Sequence, residues 1–392
     1  MLDLELNGKS LNIDEKYRNS LDLEGFFQMM KDPSYCYKFY WLEAIVKLIS
    51  EGVQSTTFDE VINEMICNAW YSVREFHIHL SGIYGTGKVQ DGLERAVLTL
   101  SELSELQANA SKTEIKNAIK EHAHNKDLRS AKEQLTNMVP YRALAGFFAK
   151  SKETADWNST RRMVEYIKTV NRDVVTLPYI LGESSKLKRE IVFNPEWMEM
   201  IQDNTVSILG WIQYEKVKWL QNNNPEVPGL VYKLAPMDEK MRKLNHVHKL
   251  WEGVLEFREV RDVFTGEAVQ HGKYDVDHFI PWSFVMNDEL WNLMPMDSSL
   301  NSSKSNRLPK WDPFFSKFAK NQYLLYGLIH EKEGIRKLYE SCYRDNLHSI
   351  WASQELYLRG NTEDEFYNIL EKNMHPLYDS ARRQGYEEWK WG

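Results

Sequence analysis

Apolar residues recur at helical spacing over most of the first two hundred or so residues of this chain. In 41–49, WLEAIVKLI, Trp41, Ile45, Leu48 and Ile49 fall on one side of a helix. Leu93, Ala96, Val97, Leu100 and Leu103 repeat the pattern. Ser111 with Glu114, ahead of Ile115, has the form of a capping box, in which each side chain bonds the other's backbone N–H. Residues 205–221, with Trp211 and Trp219 among their apolar positions, predict a further helix. Period-two alternation is scarce here, and 172–195 reads as irregular.

A break follows at 222–229, NNNPEVPG, where two prolines and a glycine stop the preceding helix. It divides the chain into a helical region over 1–221, a linker over 222–238, a mixed module over 239–320 and a helical C-terminal region over 321–392. Leu244, Val247, Trp251 and Val254 form one helical stripe leading into the module. There the periods shorten. FTGEA, 264–268, reads as a hairpin turn, YDVDHFI, 274–280, as a strand ended by Pro281, and LMPM, 293–296, as a second strand. Asp297 and the serines after it start a helix, and Pro309 closes that element. Beyond about residue 320 the pattern is helical again, with Tyr323, Tyr326 and Phe366, and no repeat or low-complexity tract interrupts it.

Composition narrows the class. Of 392 residues, 42% are apolar and 12% aromatic, with 13 Trp and 20 Tyr, which suits a packed interior. A net charge of −8 argues against a protein that coats nucleic acid broadly, but leaves room for a local basic patch. The three cysteines, Cys36, Cys67 and Cys342, lie far apart and define neither a disulfide framework nor a zinc ribbon. The start is acidic and polar, unlike a signal peptide. No apolar run is long enough to cross a bilayer. The expectation is a cytoplasmic protein with no membrane partner.

The candidate chemistry lies in YDVDHFIPWSF, 274–284, and WNLMPMDSSLNSSKSNRLP, 291–309. Asn301, Lys304 and Ser305, at i, i+3 and i+4, would share one face of their helix. Asp277 supplies an anionic oxygen and Asn301 a neutral one, the hard ligands that magnesium prefers. His278, with an ordinary pKa of about 6.5, suits a general base. On a straight strand Asp277 and His278 point to opposite faces, so one cleft would need a bend near Pro281.

These residues resemble the HNH endonuclease motif, the ββα-metal fold. DVDHFIPWSF with the later asparagines and NSSKSNRLP is similar to the HNH domain of RNA-guided CRISPR nucleases, spacing included. The resemblance implies a fold that is mainly α with a small α+β module near the C-terminal third. It implies Asp277 and Asn301 as metal ligands, His278 as general base, Asn292 as a brace of the active-site loop and Lys304 as a basic residue of the same helix. It also implies Mg2+ or Mn2+ as cofactor, and products with 5′-phosphate and 3′-hydroxyl ends. Many HNH proteins stiffen the module with zinc knuckles; here the hairpin has Thr265-Gly266 and no cysteine, so structural zinc is not expected. The length and the lack of a second nuclease domain do not imply a guide RNA. The long helical N-terminal region more loosely resembles that of HNH proteins presumed to serve bacterial defence or restriction.

Residues 301–320 carry Lys304, Arg307, Lys310, Lys317 and Lys320 against a single Asp, a candidate surface for backbone phosphates. Lys304, Arg307 and Lys310 lie nearest the motif; a solvated helix face explains the same run equally well. Asp275 could be a second ligand, although an exposed strand residue explains it more simply. GIYGTGKV, 82–89, lacks the Ser or Thr that a phosphate loop needs after its Lys, and an inter-helix glycine turn accounts for it. His77 and His79, His122 and His124, and His246 and His248 are poorly spaced for a metal on a helix. The expected partner is DNA, with RNA second. The helical N-terminal region would recognise a partner protein or an activating signal, and a homodimer would account for double-strand cutting. A non-catalytic nucleic-acid-binding protein with a vestigial module is the rival of another class.

Overall fold

A computed structural model of the protein describes residues 13–29, 35–82, 91–137, 139–148, 160–173, 177–234, 244–343 and 349–390. The chain forms two compact units, one of Met1–Asn224 with Lys233–Ala235, the other of Pro225–Tyr232 with Pro236–Gly392.

The first unit is helical with one small three-stranded sheet. Its elements are α1 (Leu23–Gln28), α2 (Tyr37–Ser50), β1 (Ser55–Thr57), α3 (Phe58–Phe76), α4 (Gly92–Ser104), α5 (Lys112–Glu121), α6 (Lys126–Leu135), α7 (Val139–Arg142), α8 (Thr160–Asp173), β2 (Tyr179–Leu181), β3 (Glu190–Phe193), α9 (Pro195–Asp203) and α10 (Thr205–Asn223). The stripe Trp41, Ile45, Leu48 and Ile49 is buried on α2, as its spacing requires. The capping box at α5 forms: Glu114 N–H donates to Ser111 Oγ at 3.3 Å, and Ser111 N–H to Glu114 Oε2 at 2.7 Å. Inside, Glu43 is 3% exposed and accepts from Lys216 at 2.7 Å and Lys47 at 2.8 Å, which offsets the cost of burying its charge.

The irregular reading of 172–195 is corrected by the sheet. β2 and β3 lie there and pair antiparallel, with β1 on the other side of β3. β3 does alternate, Ile191 and Phe193 inward and Glu190 and Val192 outward. Four residues are too few for that alternation to stand out. Gly82 ends the described run there, so residues 83–89 of the GIYGTGKV stretch lie outside the described residues. Of the paired histidines, His79 Nδ1 lies 2.8 Å from Glu94, and the His248 ring stacks 5.7 Å from Tyr274.

The second unit runs through α11 (Asn245–Phe257), β4 (Asp275–His278), α12 (Trp282–Val285), β5 (Leu293–Met296), α13 (Ser298–Lys304), α14 (Trp311–Glu331), α15 (Glu333–Cys342) and α16 (Glu363–Gln384). One core joins them. Val247, Trp251 and Val254 of α11, Leu293 and Met296 of β5, Phe318 and Leu325 of α14, and Phe366 and Leu370 of α16 are all buried in it. Burying each such large side chain contributes about 1.5–3 kcal/mol, so the two-stranded hairpin draws its stability from the helices around it. Two fastenings tie it to them. Gln322 of α14, fully buried, donates Nε2 to the carbonyl of Leu293 at 2.7 Å. Past α13, Leu308 N–H donates to Glu387 O at 2.9 Å and Trp389 N–H to Leu308 O at 2.6 Å. The Trp389 indole N–H reaches Ser303 Oγ at 3.3 Å, across 86 residues of sequence.

Candidate active site

Asp262 builds the frame. Its Oδ1 accepts the N–H groups of Phe264 and Thr265, both at 2.9 Å, which folds the turn ahead of Gly266 with its left-handed φ of +75°. Its Oδ2 accepts the N–H of Asp297 at 3.0 Å. Asp297 in turn caps α13, accepting from Ser299 N–H at 2.9 Å and Leu300 N–H at 3.2 Å. The Ser299 hydroxyl, and after it these two backbone N–H groups, hold the Asp297 carboxyl below the usual carboxylate range. One carboxylate thus sets both the first turn and the start of the helix.

β4 and β5 pair antiparallel, with Asp277 opposite Met294 and His278 opposite Leu293. Burial alternates along β4: Asp275 and Asp277 are half-buried, Val276 and His278 buried. Asp277 and His278 therefore lie on opposite faces of the strand, and the chain bends directly after His278. α13 supplies the partners of the first face. Asn301 Nδ2 donates to Asp275 Oδ2 at 3.1 Å, and Lys304 Nζ to Asp277 Oδ2 at 2.8 Å.

Two expectations about α13 are corrected. Lys304 is 0% exposed, so its ammonium is turned to Asp277 and is not offered to a phosphate backbone. Its position in the last turn, above a strand carboxylate, explains the inward direction. Ser305 lies past the helix end with φ +46° and ψ −133°, and does not share the face of Asn301 and Lys304. Arg307 and Lys310 are exposed, as are Lys317 and Lys320, whereas Phe314, Phe315 and Phe318 between them face the core. Arg307 Nη1 also donates to Ser303 O at 3.0 Å.

The second face holds His278, fully buried. Its Nε2 lies 3.1 Å from the carbonyl oxygen of Asn287 and 3.1 Å from Asp288 Oδ1. Both are oxygens that only accept, so Nε2 carries the proton. Nδ1 has no hydrogen-bond partner. Asn292, also fully buried, ties the bend that follows. Its Oδ1 accepts Ile280 N–H at 2.8 Å, its Nδ2 donates to Ile280 O at 2.8 Å, and its own carbonyl accepts Phe279 N–H at 2.8 Å.

Asp275 was expected only as a possible second ligand, and the Asn287 carbonyl and the Asp288 carboxylate were not expected at His278. Asp275 had a signal, since residues two apart on a strand share a face with each other. Asn287 and Asp288 had none, because they meet His278 only through the fold of the loop between α12 and β5. Among the described residues no group of three or more His, Cys, Asp or Glu is gathered to hold a metal. The donor set is nevertheless a hard one. Asn301 gives its amide nitrogen to Asp275, which leaves its oxygen to coordinate, and Asp277 gives Lys304 only one of its two oxygens. Asp277 and Asn301, with Asp275 beside them, fit a divalent ion that keeps waters and takes substrate oxygens.

A β-hairpin crossed by a short helix, with Asp-His on the first strand and asparagines on the second strand's approach and on the helix, defines a ββα nuclease module. Residues 262–310 match the family described as HNH endonuclease, and the chain carries an HNH-family domain there, a module of nucleases that act on nucleic acid. The domain lies in the C-terminal third of a mainly α-helical protein. No curated protein and no solved structure gives a significant match to the chain. No helix among the described residues is long and apolar enough to cross a membrane.

Proposed function

We propose that the protein is a metal-dependent endonuclease that hydrolyses phosphodiester bonds of double-stranded DNA. The observation that carries this is a set of oxygen donors on β4 and α13 combined with an imidazole whose Nδ1 has no partner. His278 accepts the proton of the attacking water at Nδ1, while Nε2–H stays on the Asn287 carbonyl, with the Asp288 carboxylate beside it. Asp277 and Asn301 hold Mg2+ or Mn2+. When bound, such an ion offsets charge on the phosphate and the leaving oxygen. Asn292 keeps the Phe279–Ile280 bend, and so His278, in place. Arg307 and Lys310 lie exposed beyond α13 and meet the phosphate backbone.

Full burial of His278 and the Lys304–Asp277 pair describe a resting site. In the working site Nδ1 must open to water, which ties activity to substrate binding. The helical first unit then recognises a particular DNA, a partner protein or an activating signal, in keeping with bacterial defence. An isolated 239–392 fragment as active and selective as the whole chain would remove that role. Because one module cuts one strand, double-strand breaks call for a dimer. Light scattering that finds a monomer on and off DNA would exclude it.

The deciding experiment is plasmid cleavage with Mg2+ or Mn2+ by the intact protein and by His278→Ala. Cleavage that EDTA stops and the substitution abolishes supports the proposal. Cleavage of RNA alone changes the substrate. Silence of the intact protein on both substrates, with retained nucleic-acid binding, would leave a binding module.

A further inference from the structure

The turn that faces His278 is fastened from outside the hairpin. Met286 opens it with a left-handed φ of +56°. Asn287 and Asp288 then present a carbonyl oxygen and a carboxylate oxygen to His278 Nε2, each at 3.1 Å. The next side chain, Glu289, is only 6% exposed. Its Oε2 accepts the backbone N–H of Ser349 at 2.9 Å, the Ser349 hydroxyl and the indole N–H of Trp291. The Trp291 ring packs 5.4 Å from that of Trp351, two residues past Ser349. On its other side, the Glu289 carbonyl accepts the N–H of Asn292 at 3.0 Å. A single buried carboxylate therefore stands between the residue beside His278 and the residue that ties Ile280, and is held by a segment sixty positions further along.

We propose that Asp288 and Glu289 are positioning residues for His278. Glu289 latches the turn to Ser349, and the turn presents the Asn287 carbonyl to Nε2 as its hydrogen-bond acceptor and the Asp288 carboxylate as a close negative charge, which together fix the proton there and leave Nδ1 as the nitrogen open for proton transfer. What His278 is used for rests on the endonuclease reading above; its tautomer does not. A backbone carbonyl alone would orient the ring but would keep its place only as long as the turn does. A charged side chain beside it adds an oxygen that cannot become a donor. In Asp288→Asn the amide can present a donor to Nε2, and the preference for one tautomer weakens. In Ser349→Ala the latch loses one of its three donors while the backbone N–H remains.

The test uses the full chain labelled with 15N at histidine, free of metal, with the His278 resonances identified by their loss in His278→Ala. Long-range 1H–15N spectra should show a protonated Nε2 and an unprotonated Nδ1. In Asp288→Asn and Glu289→Gln the two nitrogens should move toward a mixture of tautomers, with a smaller movement in Ser349→Ala. In plasmid cleavage with Mg2+, kcat for the first two variants should fall at least about 10-fold at unchanged KM, within the roughly 10²–10⁴-fold that a placed base supplies. A wild-type spectrum and kcat in Asp288→Asn and Ser349→Ala would overturn the proposal, and these two decide it if Glu289→Gln does not fold. A protonated Nδ1 in the unsubstituted chain would overturn it as well. If the unsubstituted chain cuts no nucleic acid with Mg2+ or Mn2+, the endonuclease reading fails, and the spectra still decide whether the turn fixes the tautomer.

Discussion

The ammonium of Lys304 lies 2.8 Å from the carboxylate of Asp277, with the lysine side chain wholly buried and the aspartate 15% exposed. The pair puts a positive charge on the oxygen set proposed to hold a divalent ion. Two cations compete for one carboxylate, so each should weaken the other's hold.

Lys304→Met should therefore be destabilising without metal, by about 2 kcal/mol or more, because Asp277 keeps its charge and loses its partner. Mg2+ should recover part of that loss by binding the folded state alone. Thermal unfolding with EDTA and with Mg2+ measures both. An equal loss under the two conditions would separate Lys304 from the metal site.

Asn292 makes both of its amide bonds to one residue, Ile280. Asn292→Ala strands a buried N–H and a buried C=O, and should cost about 2–4 kcal/mol in denaturant unfolding. Cleavage should fall further than the unfolded fraction accounts for, since the bend after His278 loosens. A variant as stable as the parent would mean the brace is redundant.

The exposed Lys310, Lys317 and Lys320 should show themselves through salt. Replacing all three by Gln should weaken DNA binding and lower the slope of log K against log salt by about 0.9 for each phosphate that is no longer neutralised. An unchanged slope would identify a solvated helix face with no part in binding.

Asp91 offers a pH test in the first unit. It is buried at the start of α4, and burial raises its carboxyl from the ordinary 3.8 to about 6. Well below pH 3.8 the folded and unfolded carboxyls are both protonated and this group's contribution is fully present. As pH rises to 6 the unfolded chain ionises first, so the contribution is lost through that window. The stability difference between the parent and Asp91→Asn should drift by up to about 3 kcal/mol between pH 4 and 6 and then level. A constant difference would contradict the raised value.

Much of this architecture is legible in the chain because its signals are local. The capping box at Ser111 and Glu114, the turn at Thr265-Gly266 and the cap at Asp297 each need only a few neighbouring residues. The strand β4 could be read for the same reason, whereas the asparagines at 292 and 301 stood out through the resemblance of the motif. What could not be read depends on distance. Lys304 is buried only because Asp277, 27 residues earlier, lies beneath it; a lysine beside other basic residues otherwise reads as surface. His278 meets Asp288 through a loop whose path is set by Glu289 and Ser349. The strands β1, β2 and β3, of three or four residues, are held by pairing partners far along the chain and show almost no period of their own.

The contact of Trp389 with Ser303 has a consequence for how the protein comes into being. Asp277, His278 and Asn301 are all synthesised well before the segment that closes over the end of α13. Long-range closures of this kind form late, after the cost of restraining the intervening chain has been met. A nascent polypeptide on the ribosome would thus carry every reactive group of the module while still lacking the clasp that sets them in register.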